Sequence, residues 1–336
     1  MFIKKRNLAV FIMMLLLIVA ALVACGSKAS EEEATEANGK EKIEKSEEIV
    51  IQHDLGDTTI PFKPEKIVVL EYSFVDALAS LGITPVGIAD DGEKDNIIKP
   101  IAEQMGDFTS VGTRKQPNLE VISSLKPDLI IADTKRHKGI YEDLTKIAPT
   151  IVLPSLAGNY EDNIEAFPVI AKAVGQPDEA EKRLTEHQDN MASFRAKIPA
   201  DENRTVLPAV VTDTGLFGHS DKSYVGSLFF KLGFEHAITA DKAKDLPEYL
   251  DSPYLKMNLE QLVEFNPDIL FLMKSGDGTV DEEWKQDPLW QSLSAVKNDQ
   301  VYEVDRNRWA KSRGLISSEI IAEDAINDLF NGTSVE

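Results

Sequence analysis

Positively charged side chains gather in three segments of an acidic sequence. The chain has 57 Asp and Glu residues against 36 Lys and Arg residues, so its formal net charge is −21. A fourth segment places His219 beside Phe217, Ser220 and Tyr224. Guanidinium groups offer paired donors that match carboxylates, and they keep their charge. These residues therefore indicate a site for a small polyanion, with carboxylates favoured over isolated phosphates. The basic members of the three segments are Arg114, Lys115, Lys135, Arg136, His137, Lys138, Arg306, Arg308, Lys311 and Arg313.

Each basic segment, taken alone, is typical of a solvated surface loop. Asp133 and Asp305 could also neutralise part of the charge through salt bridges. Three such segments in both halves of an acidic chain favour a shared site instead. No nucleotide-binding glycine fingerprint or phosphate loop accompanies them. The net negative charge argues against general nucleic-acid binding.

Residues suited to catalysis or direct metal binding are sparse. Cys25 is the single cysteine, so no disulfide framework and no cysteine-based zinc site can form. No serine lies in a Gly-x-Ser-x-Gly motif, and the five histidines lack the paired spacing of a metal site. We therefore expect no enzyme, no catalytic residue and no directly bound metal, although a metal could arrive already chelated. The competing hypothesis is a surface enzyme acting on polyanionic substrates, with His219 or His137 as its base.

The elements that position these residues alternate between short apolar strands and helices. This alternation predicts a parallel sheet with helices on both faces. Ligands bind such sheets beyond the carboxyl ends of the strands, where the basic segments lie. We predict helices at 74–81 and 315–330. The predicted strands are 67–70, 85–88, 129–132, 150–153, 206–211, 269–273 and 301–304.

One motif occurs twice and divides the chain into similar halves. Asn118-Leu119-Glu120 leads into a Pro-Asp turn and an apolar strand, and the pattern recurs 140 positions later from Asn258-Leu259-Glu260. Each copy predicts an Asn N-cap, a short helix with Glu in its first turn and a buried strand. Two copies indicate two lobes, because a solenoid needs at least about three repeats.

A long amphipathic helix is predicted between the two copies. It begins at Pro177, where a first-turn proline is tolerated, and its apolar positions continue to Ile198. A helix before it, at 159–174, is expected to be broken at Pro168. We interpret 177–198 as a linking helix between an N-terminal lobe at 49–176 and a C-terminal lobe at 199–336. The alternative is a surface helix within one lobe.

The first 48 residues have the pattern of a leader and a tether. Lys4-Lys5-Arg6 precede an apolar run at 8–24, in the order of a secretory signal peptide. Its end, Leu22-Val23-Ala24-Cys25-Gly26, resembles the lipobox of bacterial lipoproteins, which implies cleavage after residue 24 and lipidation of Cys25. A membrane-spanning anchor is the alternative. Residues 25–48 are charged and predict a disordered tether. We expect a lipid-anchored chain at the extracytoplasmic face of the cell membrane.

Together these features resemble the solute-binding lipoproteins of bacterial siderophore ABC importers over residues 50–330. The resemblance rests on the Cys25 lipobox, the segments 64–70 and 81–87, both copies of the motif and the linking helix. It implies an α/β fold with two Rossmann-like lobes joined by one rigid helix and a ligand in the cleft between them. We expect a monomer with no cofactor, which binds iron only as part of its chelated ligand.

Within that family, Val111-Gly112-Thr113-Arg114, the segment 135–141 and the loop 306–313 resemble the branch that binds ferric citrate and citrate-based siderophores. Ferric citrate complexes are anionic, so an arginine-lined cleft would hold their outer carboxylates. The alternatives are a catecholate or hydroxamate siderophore and uncomplexed citrate. The predicted ligand-binding residues are Arg114, Arg136, His219, Tyr224, Arg306, Arg308 and Arg313.

The family also carries one acidic residue on each lobe that meets arginines of the permease. The matching positions in this chain are Glu120 and Glu260. Either could instead serve only to match the positive end of its helix dipole, and the two roles are compatible. The expected partners are thus the iron complex, the ABC permease and the membrane, with no nucleic acid.

Overall fold

The computed structural model describes residues 48–61, 63–246, 249 and 252–331. The predicted leader at 1–24, the lipidation position Cys25 and all but the last residue of the tether lie outside this part of the chain. The strands in the described part are β1 Glu48–His53, β2 Gly56–Pro61, β3 Ile67–Val69, β4 Gly87–Ile88, β5 Thr109–Ser110, β6 Leu129–Asp133, β7 Thr150–Leu153, β8 Thr205–Thr212, β9 Gly215–His219, β10 Glu235–His236, β11 Tyr254–Met257, β12 Ile269–Lys274 and β13 Val301–Asp305.

Helices separate most of these strands. Short 3₁₀ turns lie at Lys94–Asn96 and Lys138–Ile140, and π-helical turns lie at Asn307–Lys311 and Asn327–Asn331. The α-helices are α1 Tyr72–Ser80, α2 Lys99–Ala102, α3 Leu119–Leu125, α4 Tyr141–Thr145, α5 Tyr160–Ala173, α6 Pro177–Ala196, α7 Tyr224–Leu232, α8 Ala240–Ala243, α9 Leu259–Phe265, α10 Val280–Trp284, α11 Pro288–Ser292, α12 Ser294–Lys297 and α13 Leu315–Ile326.

The first sheet is parallel throughout and has the order β5-β4-β3-β6-β7. Successive residues of β6 pack on opposite faces: Leu129 and Ile131 join one core cluster, and Ile130 and Ala132 join another. This pattern follows from the alternating direction of side chains along a strand. Both faces of the sheet are therefore covered, as its apolar strands predict.

The second sheet has the order β11-β9-β8-β12-β13, with β10 also paired to β8. Strands β8, β10, β12 and β13 are parallel, but β9 runs antiparallel to β8, and β11 runs antiparallel to β9. The prediction missed β9 because only Asp213 and Thr214 separate it from β8, which allows a hairpin in place of a helical crossover. His219, expected in a loop, is the last residue of β9. The fold is nonetheless the predicted α/β class with two lobes.

The two copies of the repeated motif adopt matching structures. Asn118 accepts hydrogen bonds from the first turn of α3, and Asn258 does the same for α9. Both helices end at a residue in the left-handed conformation, Lys126 and Asn266. The strands β6 and β12 then begin after equal spacings, so the predicted N-capped helix and buried strand are confirmed in both copies.

Helices α5 and α6 lie between the two sheets in the sequence, and the C-terminal helix α13 packs against α6. Helix α6 matches the helix predicted at 177–198, and α13 packs against both α6 and α1. Helix α5 continues through Pro168, so the expected break is wrong. Proline removes one backbone hydrogen bond, but the neighbours Phe167, Ile170 and Ala171 are buried in the core and favour a continuous helix. In the part of the chain that the structure describes, no helix has the length and apolar character needed to cross a bilayer.

Candidate functional site

A cavity of about 420 Å³ is lined by residues that follow strands of both sheets. From the first sheet, Arg114 follows β5, Arg136 follows β6 and Leu156 follows β7. From the second sheet, Thr212 ends β8 and Arg306 follows β13. This is the position expected for a ligand in an α/β fold, beyond the carboxyl ends of the parallel strands.

Five of the seven residues predicted to bind ligand line this cavity. The other two have different surroundings. Tyr224 is buried, and its hydroxyl donates a 2.8 Å hydrogen bond to the carbonyl oxygen of Gly314. Arg308 Nη2 lies 2.7 Å from Asp324 Oδ1 of α13, so its charge is directed to that helix. The five lining residues are Arg114, Arg136, His219, Arg306 and Arg313.

Glu71, which directly follows the predicted strand 67–70, lies behind two of these arginines. Its Oε1 is 2.5 Å from Arg136 Nε, an ion pair whose N–H is not aligned for a hydrogen bond. Its Oε2 is 3.6 Å from Arg114 Nη1. Burial raises the pKa of Glu71 to about 7, although the charges of Arg136 and Arg114 act in the opposite direction. The sequence analysis missed this residue, and its position at the carboxyl end of a buried strand was the available signal.

Arg114 is held by a second carboxylate and by an aromatic ring. Its Nε and Nη2 donate to Asp91 Oδ2 at 3.0 and 2.7 Å, and its backbone N–H donates to Asp91 Oδ1. The guanidinium carbon lies 4.2 Å from the centre of the Tyr72 ring. Burial alone would lower the pKa of Arg114, but the hydrogen bonds and charge of Asp91 raise it. Arg114 is therefore a fixed positive charge in the cavity wall.

Two buried polar residues fix the loops that carry the arginines. His137 Nδ1 accepts the backbone N–H of Asp133, so its Nε2 carries the proton and donates to the carbonyl oxygen of Arg114 at 2.8 Å. The carboxylate of Asp133 accepts four backbone N–H groups, two from the segment after β6 and two from the segment after β7. Asp133 thus orders the backbone rather than neutralising an arginine. Burial lowers the pKa of His137.

Arg306 and Lys311 present charges that no carboxylate neutralises. Within the described residues neither forms an ion pair; Lys311 Nζ donates to Asn96 Oδ1 at 2.8 Å, and Arg306 Nε has no acceptor. Burial lowers the pKa of both side chains, and the nearby charge of Arg114 lowers it further. Asp305 could have paired with this loop, but among the described residues its carboxylate accepts only the backbone N–H of Arg308. A bound anion would relieve this repulsion.

Arg313 joins the two sides of the cavity. Its Nη1 donates to the carbonyl oxygens of Ser155 and Leu156, and its Nη2 donates to the Tyr254 hydroxyl at 2.8 Å. The same hydroxyl donates to Leu156 at 2.8 Å. Leu156 follows β7 of the first sheet, and Tyr254 begins β11 of the second sheet. These bonds therefore connect the loop after β7 with β11. Tyr254 thus binds Arg313 and also lines the cavity. The sequence analysis missed this residue.

His219 is a neutral member of the cavity wall. Its ring centre lies 4.7 Å from that of Tyr254, and its Nδ1 has no hydrogen-bond partner among the described residues. Burial, followed by the charge of Arg313, lowers the pKa of His219 to about 3. So weak a base is poorly suited to general-base catalysis at neutral pH. Across the described residues, no group of three or more His, Cys, Asp or Glu side chains is arranged to hold a metal ion.

Neither of the two predicted docking residues lines this cavity. Glu120 and Glu260 are both exposed, each in the first turn of its helix, α3 and α9 respectively. They occupy equivalent positions in the two copies of the motif.

A model of the family described as "Periplasmic binding protein" matches residues 67–307. The chain belongs to this family. The match spans both sheets and most of the residues that line the cavity, so the family resemblance inferred from the sequence is confirmed.

Individual members of the periplasmic binding protein family extend the comparison. The chain is 46% identical over 310 residues to the Fe(3+)-citrate-binding protein YfmC of Bacillus subtilis, covering 92% of this chain and 95% of that protein. It is 36% identical over 276 residues to the Fe(3+) dicitrate-binding periplasmic protein FecB of Escherichia coli, covering 82% and 88%. The crystal structure of Staphylococcus aureus SirA complexed with staphyloferrin B has a TM-score of 0.72 at 28% identity, covering 84% and 98%. This chain is accordingly a solute-binding protein and not an enzyme.

Proposed function

We propose that this protein is the solute-binding component of an ABC importer and that it captures ferric citrate or a related carboxylate siderophore in the cavity. The observation that carries the proposal is the pair Arg306 and Lys311, two cations that line the cavity without a carboxylate partner in the described residues. A multiply charged anion would supply the missing charge and accept their hydrogen bonds. The two relatives named for ferric citrate make this the favoured anion.

Iron is cargo in this proposal and not a resident cofactor. The carboxylate ligands of the complex keep the metal coordinated, while Arg306, Lys311 and the other cavity cations bind the outer carboxylates. The chain is tethered outside the cytoplasmic membrane through lipidated Cys25, acts as a monomer and docks onto the permease through Glu120 and Glu260. The linking helix at 177–198 separates an N-terminal lobe at 49–176 from a C-terminal lobe at 199–336.

Equilibrium dialysis with radioactive iron tests the ligand assignment. The purified protein is dialysed against ferric citrate, ferric catecholate and ferric hydroxamate complexes, with citrate alone measured by calorimetry. We expect ferric citrate to bind most tightly. Tighter binding of the catecholate or hydroxamate complex would replace the proposal with the alternative siderophore class. Equal affinity for citrate alone would assign the cavity to the uncomplexed anion.

A further inference from the structure

Glu71 is a buried carboxylate that lies beside two arginines of the cavity wall. It is 2% exposed and lies between the end of β3 and the start of α1. Its contacts are ion pairs with Arg136 and Arg114, both of which line the cavity. A buried charge is strongly unfavourable without such partners. Any anion that engages these arginines therefore competes with Glu71 for them.

Hydrogen bonding also distinguishes Glu71 from two other buried carboxylates, Asp133 and Asp76. Asp133 accepts four backbone N–H groups, and Asp76 accepts two backbone N–H groups and the hydroxyl of Ser317. Glu71 Oε1 has no hydrogen-bond donor among the described residues. The ionised form of Glu71 thus depends on the two arginines, whereas Asp133 and Asp76 are satisfied by fixed donors.

We propose that Glu71 is a positioning residue that holds Arg136 and Arg114 before the ligand binds and takes up one proton when the anionic ligand binds. This rests on the proposed function for the class of ligand, a multiply charged carboxylate complex. The proton comes from solvent and neutralises Glu71, so the arginines can turn their full charge to the ligand. The negative charge of the ligand itself also favours the neutral carboxyl group.

The groups that face Glu71 make it the one expected to titrate on binding. Arg136, Arg114 and Arg313 act on it as cations, and Asp133 acts on it as an anion. The arginines remain charged at any physiological pH. The two cavity-side histidines, His137 and His219, have lowered pKa values, so they are neutral above pH 7 and do not bind this proton.

The direction of the pH dependence follows from the pKa of Glu71, which burial raises to about 7. A bound anion raises it further, so the complex holds more protons than the free protein just above pH 7. Affinity should then fall as the pH rises above 7, by up to about tenfold per pH unit for one proton. Below pH 7 Glu71 is protonated in both states, and its contribution should level off.

Calorimetric titration with ferric citrate at pH 7.5, in buffers of different ionisation enthalpy, measures the protons taken up. Comparison of wild type with Glu71→Gln cancels the titration of citrate itself, which is common to both. We expect the wild type to take up as much as one proton more than Glu71→Gln, and the variant to lose the corresponding pH dependence of affinity. Glu142→Gln is the matched control, since it removes the carboxylate of an exposed glutamate that does not line the cavity, and its proton uptake should equal that of the wild type. Equal uptake by wild type and Glu71→Gln would overturn the proposal.

A second measurement does not depend on the folding of the Glu71 variant. The carboxyl carbons of Glu residues, labelled with ¹³C, are titrated with and without gallium(III) citrate, a diamagnetic substitute for the ferric complex. The proposal requires a Glu carboxyl group with a pKa near 7 in the wild type without the complex. The pKa of this group should rise when the complex binds. It should also rise in Arg136→Ala without the complex, because the arginine that pairs with the carboxylate is removed. A resonance whose pKa is the same in all three states contradicts it. Absence of any binding by the wild type would instead overturn the proposed function, and with it the ligand-linked proton, while the Arg136→Ala titration would still decide the pairing.

Discussion

The positive charges in the cavity divide into those that protein carboxylates hold and those that are available to a ligand. Glu71 and Asp91 form ion pairs with Arg136 and Arg114, so part of the positive charge of these two arginines is already balanced within the protein. Arg306 has no such partner among the described residues, and burial lowers its pKa. An anion bound at Arg306 gains a charge-assisted interaction without breaking an existing ion pair. Arg306 should therefore contribute more to affinity than its exposure suggests.

Replacement of Arg306 tests this argument. Arg306→Ala should weaken ferric citrate binding by about 1.5–3 kcal/mol, the range for hydrogen bonds to charged groups. The measurement is calorimetric titration at physiological salt, because an exposed, screened charge would show a much smaller loss.

Arg308→Ala is the matched control for that experiment. It removes the same side chain from the same loop, but Asp324 holds Arg308 outside the cavity lining. Its affinity should stay at the wild-type value, with any loss confined to thermal stability. Equal weakening by both substitutions would point to a general effect of loop charge. Unchanged affinity of Arg306→Ala would show that Arg306 is a solvated surface residue that does not contact the ligand.

The sequence predicted the cations of the site better than their partners. The basic segments are visible because each is local and follows an apolar strand. The pairing of Glu71 with Arg136 joins residues 65 positions apart, and their contact depends on the order of β3 and β6 in the sheet. Arg308 illustrates the same limit, since only the placement of α13 directs it to Asp324 rather than to the ligand. The spacing of residues along the sequence predicts neither the Glu71–Arg136 contact nor the Arg308–Asp324 contact.

At the scale of elements, the two motif copies share more than their helices. The Asp of each Pro-Asp turn anchors the first strand of its own sheet: Asp128 accepts N–H groups just before β3, and Asp268 accepts the N–H and hydroxyl of Thr205 at the start of β8. Capping residues, Pro-Asp turns and buried apolar strands are local signals, which explains why these elements were predicted. The strand β11 pairs antiparallel with β9 at an edge, and that pairing depends on tertiary contacts.

The equivalence of the two motif copies leads to a prediction about the permease. Glu120 and Glu260 are exposed at matching positions, and a permease with two similar halves can pair one carboxylate with each half. The double variant Glu120→Ala/Glu260→Ala should abolish iron uptake from citrate in cells, while the purified protein binds ferric citrate as the wild type does. Loss of the helix-dipole interaction alone would cost only about 0.3–1 kcal/mol of stability per site.

A second double variant controls for the loss of two helix-terminal charges. Glu142 and Glu161 are also exposed in the first turns of their helices, α4 and α5. Glu142→Ala/Glu161→Ala should leave uptake intact. Wild-type uptake by the Glu120/Glu260 variant would contradict the docking role, and equal loss in both variants would attribute the effect to net charge.

At the scale of the whole molecule, more than one helix connects the two sheets. Tyr160 of α5 hydrogen-bonds His187 of α6 at 2.7 Å, and His187 contacts Glu319 of α13 at 2.6 Å. Asp76 of α1, beside the first sheet, accepts hydrogen bonds from the first turn of α13, which also packs into the core of the second sheet. We infer that the linking helix does not act alone and that α5 and α13 brace it.

This bracing predicts a small conformational change on ligand binding. Bending α6 would break its backbone hydrogen bonds. Rotating one lobe would also break the hydrogen bonds that join Tyr160, His187 and Glu319, and the cap that Asp76 provides for α13. Binding free energy spent on those losses would be unavailable for affinity. Solution X-ray scattering of the free and ferric-citrate-bound protein should therefore give nearly equal radii of gyration. A Tyr160→Phe/Glu319→Gln variant, which weakens the chain, should show a larger difference between the two states. A large compaction of the wild type, comparable to the closure of hinge-type binding proteins, would show that the three helices do not restrain the lobes.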